Sequence, residues 1–418
     1  MRTGTHRRRA LGAPARTTAV ALALAALAGA GVTAHAVVGQ APDGGTDEHR
    51  ATRKALRAVV EEAGLPGVAA ETWQKGDGWF GEAGYADTAT RRERSRADHF
   101  RAASITKVFL ATVVLQLQQE GRLDLDDTVE TWLPGVVRGH DNDGRKITLR
   151  QLLNHTSGLN EYTEDPEFQR RTSGAGFPEH RYDTHRPADL VALATRKTPP
   201  HAPGTSASYS NTNYVLAGMI VEKVTGRPYA REIERRVLRP LKLRETSFPG
   251  QRAGLPRPHP VGYSRLRDKR PDAPVIDATR QNMTWLGAAG EAISTTGDVN
   301  TFFHGLLTGK LLRPAALKEM LTTVPAEEEG FAYGLGVESV TLSCGVQVFG
   351  KTGRTNGSLS GTAATRDGSH HLTFNINGDW PKDASAYGGV VEAEFCGSDS
   401  DSGPGPAPAP DSDSDSDS

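Results

Sequence analysis

The sequence predicts an α+β fold, in which a sheet is assembled from both ends of one domain and interrupted by a long helical insertion. Three observations carry that expectation. Strand signals appear early, at 67–73 and 79–86, on either side of the turn residues Gly76-Asp77-Gly78. They return late, at 334–342, 346–350, 360–365 and 372–377, with Arg366-Asp367-Gly368 as a tight turn before the last. The chain between them has helical apolar spacing, and no repeat of fixed period is visible.

The elements follow in order. Residues 54–63 (KALRAVVEEA) space their apolar side chains as a helix and stop at Gly64. After the first hairpin, 104–120 reads as a long apolar helix halted by Gly121. Helical patterns recur at 149–155, 213–224, 229–239, 298–307 and 314–321, and a last helix is expected over 386–395. These elements place one domain at 51–396, with a short linker at 37–50 before it.

The two ends read differently. Residues 2–16 carry Arg2, Arg7, Arg8, Arg9 and Arg16 without an acidic group, followed by an apolar run from Thr18 to Val32 and Ala34-His35-Ala36. That order is the pattern of a secretory signal peptide over 1–36. The alternative is an uncleaved anchor running to Val38. Cleavage after Ala36 is the expectation, because Ala-rich segments partition poorly into lipid. Residues 397–418 alternate Gly/Ala with Pro and Asp with Ser, and read as a solvated, disordered tail with no anchor.

The chain has 418 residues, 49 Lys+Arg against 50 Asp+Glu, and a net charge of −1. Loss of the five leader arginines would leave the remainder near −6, which argues against a nucleic-acid partner. Two cysteines exclude a zinc-finger array and a disulfide-stapled miniprotein. In an exported protein Cys344 and Cys396 are expected to pair. Closing that loop contributes roughly 4 kcal/mol in the chain-entropy model. Neither cysteine has a metal-ligand neighbour, and no cofactor is implied.

Three short motifs carry chemistry. Ser104-Ile105-Thr106-Lys107 opens the apolar helix, so hydroxyl and amine share one helical face. A hydroxyl needs a base to become a nucleophile, and a buried lysine can be that base. The helix N-terminus adds N–H donors suited to an oxyanion. Ser-x-x-Lys alone is weak, since about one copy is expected by chance in a chain this long. Tyr209-Ser210-Asn211 follows the turn Pro203-Gly204-Thr205. In extended chain its phenol and amide lie on one face, for proton transfer and for holding a substrate. Lys351-Thr352-Gly353 ends the 346–350 strand. There Gly353 lets a substrate backbone approach, and Lys351 and Thr352 offer charge and hydroxyl to a substrate carboxylate. Singly, the first two motifs read as a capping Ser and a core Tyr, and it is the ordered combination that points to a site.

That combination resembles the serine penicillin-recognising enzymes, and the tyrosine in the second motif is similar to the branch holding class C β-lactamases and secreted D-alanyl-D-alanine carboxypeptidases. Longer stretches agree: 100–135, ITLRQLLNHTSGL at 147–159, 203–229 and AAGEAISTTGDV at 288–299. The resemblance implies an α/β lobe with an antiparallel sheet flanked by helices (about 51–100 and 290–396), an all-helical lobe (about 101–289), and a site between them. It implies that Ser104 forms an acyl-enzyme and Lys107 takes its proton, while Tyr209 passes a proton to the leaving amine. Asn211 would hold a substrate amide, Lys351 keep the pocket positive, and Thr352 face a carboxylate. The oxyanion would lie between the backbone N–H groups of Ser104 and Arg354. Arg354 is larger than expected at its position, and either clamps a terminal carboxylate or faces solvent. The implied activity is that of a secreted, monomeric carboxypeptidase or transpeptidase acting on peptidoglycan stem peptides. A β-lactamase acting on β-lactams, an esterase, a D-amino-acid peptidase or amidase, and an inactive penicillin-binding protein are the alternatives.

Rival motifs lack context. Gly357-Ser358-Leu359-Ser360-Gly361 matches a nucleophile elbow, but a strand rather than a helix follows it. His155 reads as hydrogen-bonded structure. His370 and His371 alternate across a strand and cannot share a metal.

Overall fold

The structure is a computed structural model that describes residues 49–326, 330–381 and 385–397. The expected leader, most of the linker and the tail beyond Gly397 lie outside the described residues.

A nine-stranded antiparallel sheet forms one half of the domain. Its first three strands come from the start of the domain: β1 (Gly67–Gln74), β2 (Asp77–Asp87) and β3 (Arg92–Glu93). Six come from the end: β4 (Val324–Pro325), β5 (Phe331–Tyr333), β6 (Glu338–Thr341), β7 (Gln347–Thr355), β8 (Ser358–Thr365) and β9 (His370–Ile376). Their order is β4-β5-β6-β7-β8-β9-β1-β2-β3, so the two sequence-distant halves meet where β1 pairs with β9, Val68 opposite Ile376. The β1–β2 hairpin turns through Lys75 and Gly76, both at positive φ, which is why a glycine stands there.

Helix α1 (Arg50–Glu61) packs Leu56 and Val59 with Val390 and Val391 of the last helix against Leu372 and Phe374 of the sheet. The second, larger core joins the helical insertion to the helix Thr296–Leu307 and to Phe349 and Ala364 of the sheet. At its centre is α2 (Thr106–Gln119), buried almost all round, as expected of a helix apolar on every face. Phe109 of α2 stacks on Phe302 of the helix Thr296–Leu307 at 3.8 Å between centroids. Truncating such a core Phe to Ala would cost about 3–5 kcal/mol.

Helix α3 (Asn211–Thr225) starts on a Ser210 cap, whose hydroxyl accepts from the Thr212 N–H, and ends at Gly226 with φ 69°. The last helix, α4 here, spans Ser385–Cys396 and is tied to the β6–β7 turn by the Cys344–Cys396 disulfide, Cα–Cα 5.7 Å.

The structure differs from expectation in four places. The helix expected from Ser104 starts at Thr106, with Ser104 itself in a 3-10 turn (Ala103–Ile105). The strand expected at 334–342 is broken, because Gly334 N–H bonds Val337 O in a turn. The 229–239 helix contains a π segment at Glu234–Leu238. β7 runs on to Thr355, so Lys351-Thr352-Gly353 lies inside a strand and not at its end.

Candidate active site

The site forms where the start of α2 meets the free edge of β7. Ala103 adopts φ 48°, a left-handed conformation that costs a non-glycine residue free energy. Neighbours hold it there. Ser358 Oγ donates to Arg101 O at 2.9 Å and Ser360 Oγ to Ala102 O at 3.0 Å, both from β8. Thr106 Oγ1 donates to Ala103 O at 2.6 Å. Gly353 makes this packing possible, since a Cβ there would lie 2.3 Å from Ala102 O. The glycine at 353 thus has a role beside the expected one: it lets the chain's own nucleophile turn come close.

Around Ser104 three groups converge. Tyr209 Oη lies 2.8 Å from Ser104 Oγ and Lys107 Nζ 3.0 Å from it. Lys107 is fully buried, and Nζ also donates to Asn211 Oδ1 at 2.7 Å and Ala289 O at 2.6 Å. Burial, then the Lys351 cation, push its pKa well below the lysine range. A neutral amine has two N–H groups, which match Asn211 Oδ1 and Ala289 O. Its lone pair is then left for the Ser104 hydroxyl. Desolvation, with Glu338 and Glu161 nearby, pushes the Tyr209 phenol well above its ordinary value. Tyr209 therefore stays protonated and can donate to Ser104 Oγ.

His155 is buried and its Nδ1 accepts from Ser210 N–H at 3.2 Å. Its ring lies 4.5 Å from that of Tyr209. Burial, with the Lys351 cation adding to it, holds the imidazole neutral, so it supports Tyr209 as packing and not as an ion.

Asn211, expected to hold a substrate amide, bonds with both ends of its side chain inside the protein. Oδ1 accepts from Lys107, and Nδ2 donates to Glu161 Oε2 at 2.9 Å. Tyr209 and Asn211 do not share an extended strand, since α3 begins at Asn211. Lys351 and Thr352 also differ from expectation. Lys351 Nζ forms a buried ion pair with Glu338. Thr352 N–H and Oγ1–H both donate to Glu338 Oε2, at 3.0 and 3.1 Å. The Arg354 guanidinium donates to Asp379 O at 2.6 Å, and the residue is otherwise exposed, in line with the solvent-facing alternative. Because N–H groups alternate along a strand, the Arg354 N–H lies on the same edge as that of Thr352, the edge that β6 leaves unpaired beyond Gly350. Sequence reasoning missed Glu161, Glu338 and the Ala289 carbonyl. No local motif marks any of them; only packing brings them to the site. Among the described residues no group of three or more His, Cys, Asp or Glu is placed to hold a metal ion.

Comparison with known proteins agrees with this geometry. The family model described as Beta-lactamase matches residues 52–387. A D-stereospecific amidohydrolase from Streptomyces sp. is 52% identical, with a TM-score of 0.78 over 85% of this chain and 99% of that one. D-amino acid amidase from Ochrobactrum anthropi SV3, solved with L-phenylalanine amide, is 27% identical with a TM-score of 0.70, covering 83% of this chain and 96% of that one. A penicillin-binding protein of Bacillus subtilis is 27% identical over 265 residues, 60% of this chain and 55% of its own length. The chain thus spans little more than half the length of the Bacillus subtilis relatives it matches. With the Ser104–Lys107–Tyr209 constellation inside the matched region, the chain belongs to the beta-lactamase family and is a serine hydrolase of the penicillin-recognising type.

Proposed function

We propose that the protein is a serine amidohydrolase that opens amide bonds of D-aminoacyl compounds through an acyl-enzyme on Ser104. The observation that carries this reading is the Ser104 constellation, in a chain that is 52% identical to a D-stereospecific amidohydrolase across nearly all of that protein.

Ser104 Oγ attacks the amide carbonyl as its proton passes to the lone pair of Lys107. The oxyanion forms against the N–H groups of Ser104 and Arg354. Collapse requires a proton on the departing nitrogen, and the protonated Tyr209 phenol supplies it. Lys107 restores the phenol's proton. Water then opens the ester, losing its proton to the same pair.

The test is turnover of D- and L-phenylalanine amide and of a peptide ending in D-Ala-D-Ala. The D-amide is expected to exceed both by more than about tenfold in kcat/KM, a difference of roughly 1.4 kcal/mol. Ser104→Ala should abolish turnover and the acyl mass adduct. A faster reaction on the D-Ala-D-Ala peptide would replace this reading with the carboxypeptidase one, which the penicillin-binding relatives support.

Export belongs to the same proposal. The basic–apolar leader and the Cys344–Cys396 bond both suit an oxidising compartment, and among the described residues no helix is long and apolar enough to cross a membrane. N-terminal sequencing of the protein recovered from culture medium, starting at Val37, is the expected result.

A further inference from the structure

We propose that Glu338 is a specificity-determining residue: its carboxylate fills the anion subsite built by Lys351 and Thr352, so the site favours substrates without a carboxylate there. The inference rests on Ser104 being the nucleophile and deepens the amidohydrolase reading by naming what selects amides.

The Lys351 ammonium and both Thr352 donors, the groups the third motif offers an incoming carboxylate, already bond Glu338. Lys351 Nζ pairs with it, and Thr352 N–H and Oγ1–H donate to its Oε2 at 3.0 and 3.1 Å. Glu338 and Lys351 are 4% and 3% exposed, so the pair is shielded from solvent. It stands beside the reacting groups, because Lys351 Nζ lies 5.0 Å from the centroid of the Tyr209 ring. Glu338 opens β6 opposite Gly350, and its side chain occupies the β7 edge where a further strand residue would otherwise pair with Thr352. The next cation along β7, Arg354, directs its guanidinium to Asp379 O. A substrate carboxylate reaching Thr352 would meet a second carboxylate on the same lysine, and like charges at hydrogen-bonding distance repel strongly where water is excluded. A neutral amide or ester meets no such repulsion.

The experiment compares acylation of Ser104 by a fluorescent penicillin, which carries a carboxylate, and by a neutral p-nitrophenyl ester. Their ratio of second-order rate constants cancels general changes in reactivity. The ratio is expected to rise on the order of 10²-fold in Glu338→Gln, because the amide keeps an acceptor for Thr352 but removes the negative charge. Introduced on a Lys351→Ala background, the same substitution should raise the ratio by less than about threefold, since no cation remains to hold the incoming carboxylate. An unmoved ratio in Glu338→Gln, or an equal rise on both backgrounds, would overturn the proposal.

Should Glu338→Gln fail to fold, the natural protein still decides. A D-aminoacyl dipeptide with a free terminal carboxylate should be cleaved on the order of 10²-fold more slowly than its C-terminal amide, and equal rates would refute the role of Glu338. Because the probe ratio reads only Ser104 acylation, absence of D-amide turnover would remove the amidohydrolase reading without altering the result for Glu338.

Discussion

Tyr209→Phe separates the two proton transfers of the reaction. The substitution removes one oxygen and keeps the ring, which packs on His155 at 4.5 Å and lies 5.0 Å from the Nζ atoms of both Lys107 and Lys351. One neutral hydrogen bond to Ser104, at 2.8 Å, is lost. Its net contribution to stability is about 1 kcal/mol, which for a domain of this size lowers Tm by no more than about 2 °C. The catalytic cost is larger. Lys107 remains 3.0 Å from Ser104 Oγ, so the nucleophile still has its base. What disappears is the donor for the leaving group, worth about 10²–10⁴ in rate for a poor leaving group such as an amine. A p-nitrophenolate needs no proton to leave. Tyr209→Phe should therefore reduce kcat/KM for a D-amino-acid amide by about 10²–10⁴ while reducing that for a p-nitrophenyl ester by less than about tenfold. The assay is parallel steady-state kinetics on the two substrates with Tm monitored by calorimetry. Equal losses on both substrates would show that Tyr209 acts on Ser104 before the leaving group matters, and the division of labour between phenol and amine would be refuted.

Lys107 must be neutral to act as base, and its pKa is depressed by burial and by the Lys351 cation, so kcat/KM should rise with pH along an acid limb set well below the ordinary lysine range. Lys351→Met removes that cation and leaves Glu338 negative, so the limb should move to higher pH; a shift to lower pH would contradict the electrostatic account. Replacing both Cys344 and Cys396 by Ser opens a loop of 52-residue separation, which should destabilise the fold by about 4 kcal/mol and lower Tm by roughly 5 °C. An unchanged Tm would mean that the last helix is held by its apolar contacts alone. Gly353→Ala should cost more than 3 kcal/mol, on the scale of a severe core clash, since its Cβ would strike Ala102 O; a stable and active variant would show that the nucleophile turn is free to move.

Much of the fold was legible because its signals are local. Helical spacing, glycine stops and alternating strands follow from side-chain periodicity, and they placed the helix over 106–119 and most strands to within a few residues. Boundaries failed where backbone hydrogen bonding outweighs pattern. Ser104 sits in a 3-10 turn because Ala103 is held left-handed through β8 hydroxyls that bond the chain 257 and 258 residues away in sequence, and no local rule sees those contacts. The break in the 334–342 strand follows from a turn bond between Gly334 and Val337.

The convergence of Ser104, Lys107 and Tyr209 could be anticipated from the sequence, because acyl transfer needs a hydroxyl, an amine and a phenol, and short motifs carry those residue types in order. What each neighbour does was decided only by the fold. Asn211 bonds Lys107 and Glu161, Gly353 packs on Ala102, and Thr352 bonds Glu338. A carboxylate's partner depends on which donors lie within about 3 Å of it, and Glu338 comes that close to Thr352 only once β6 and β7 are paired. Residue chemistry is written along the chain, whereas charge balance at a site is a property of distances, and distances exist only after folding.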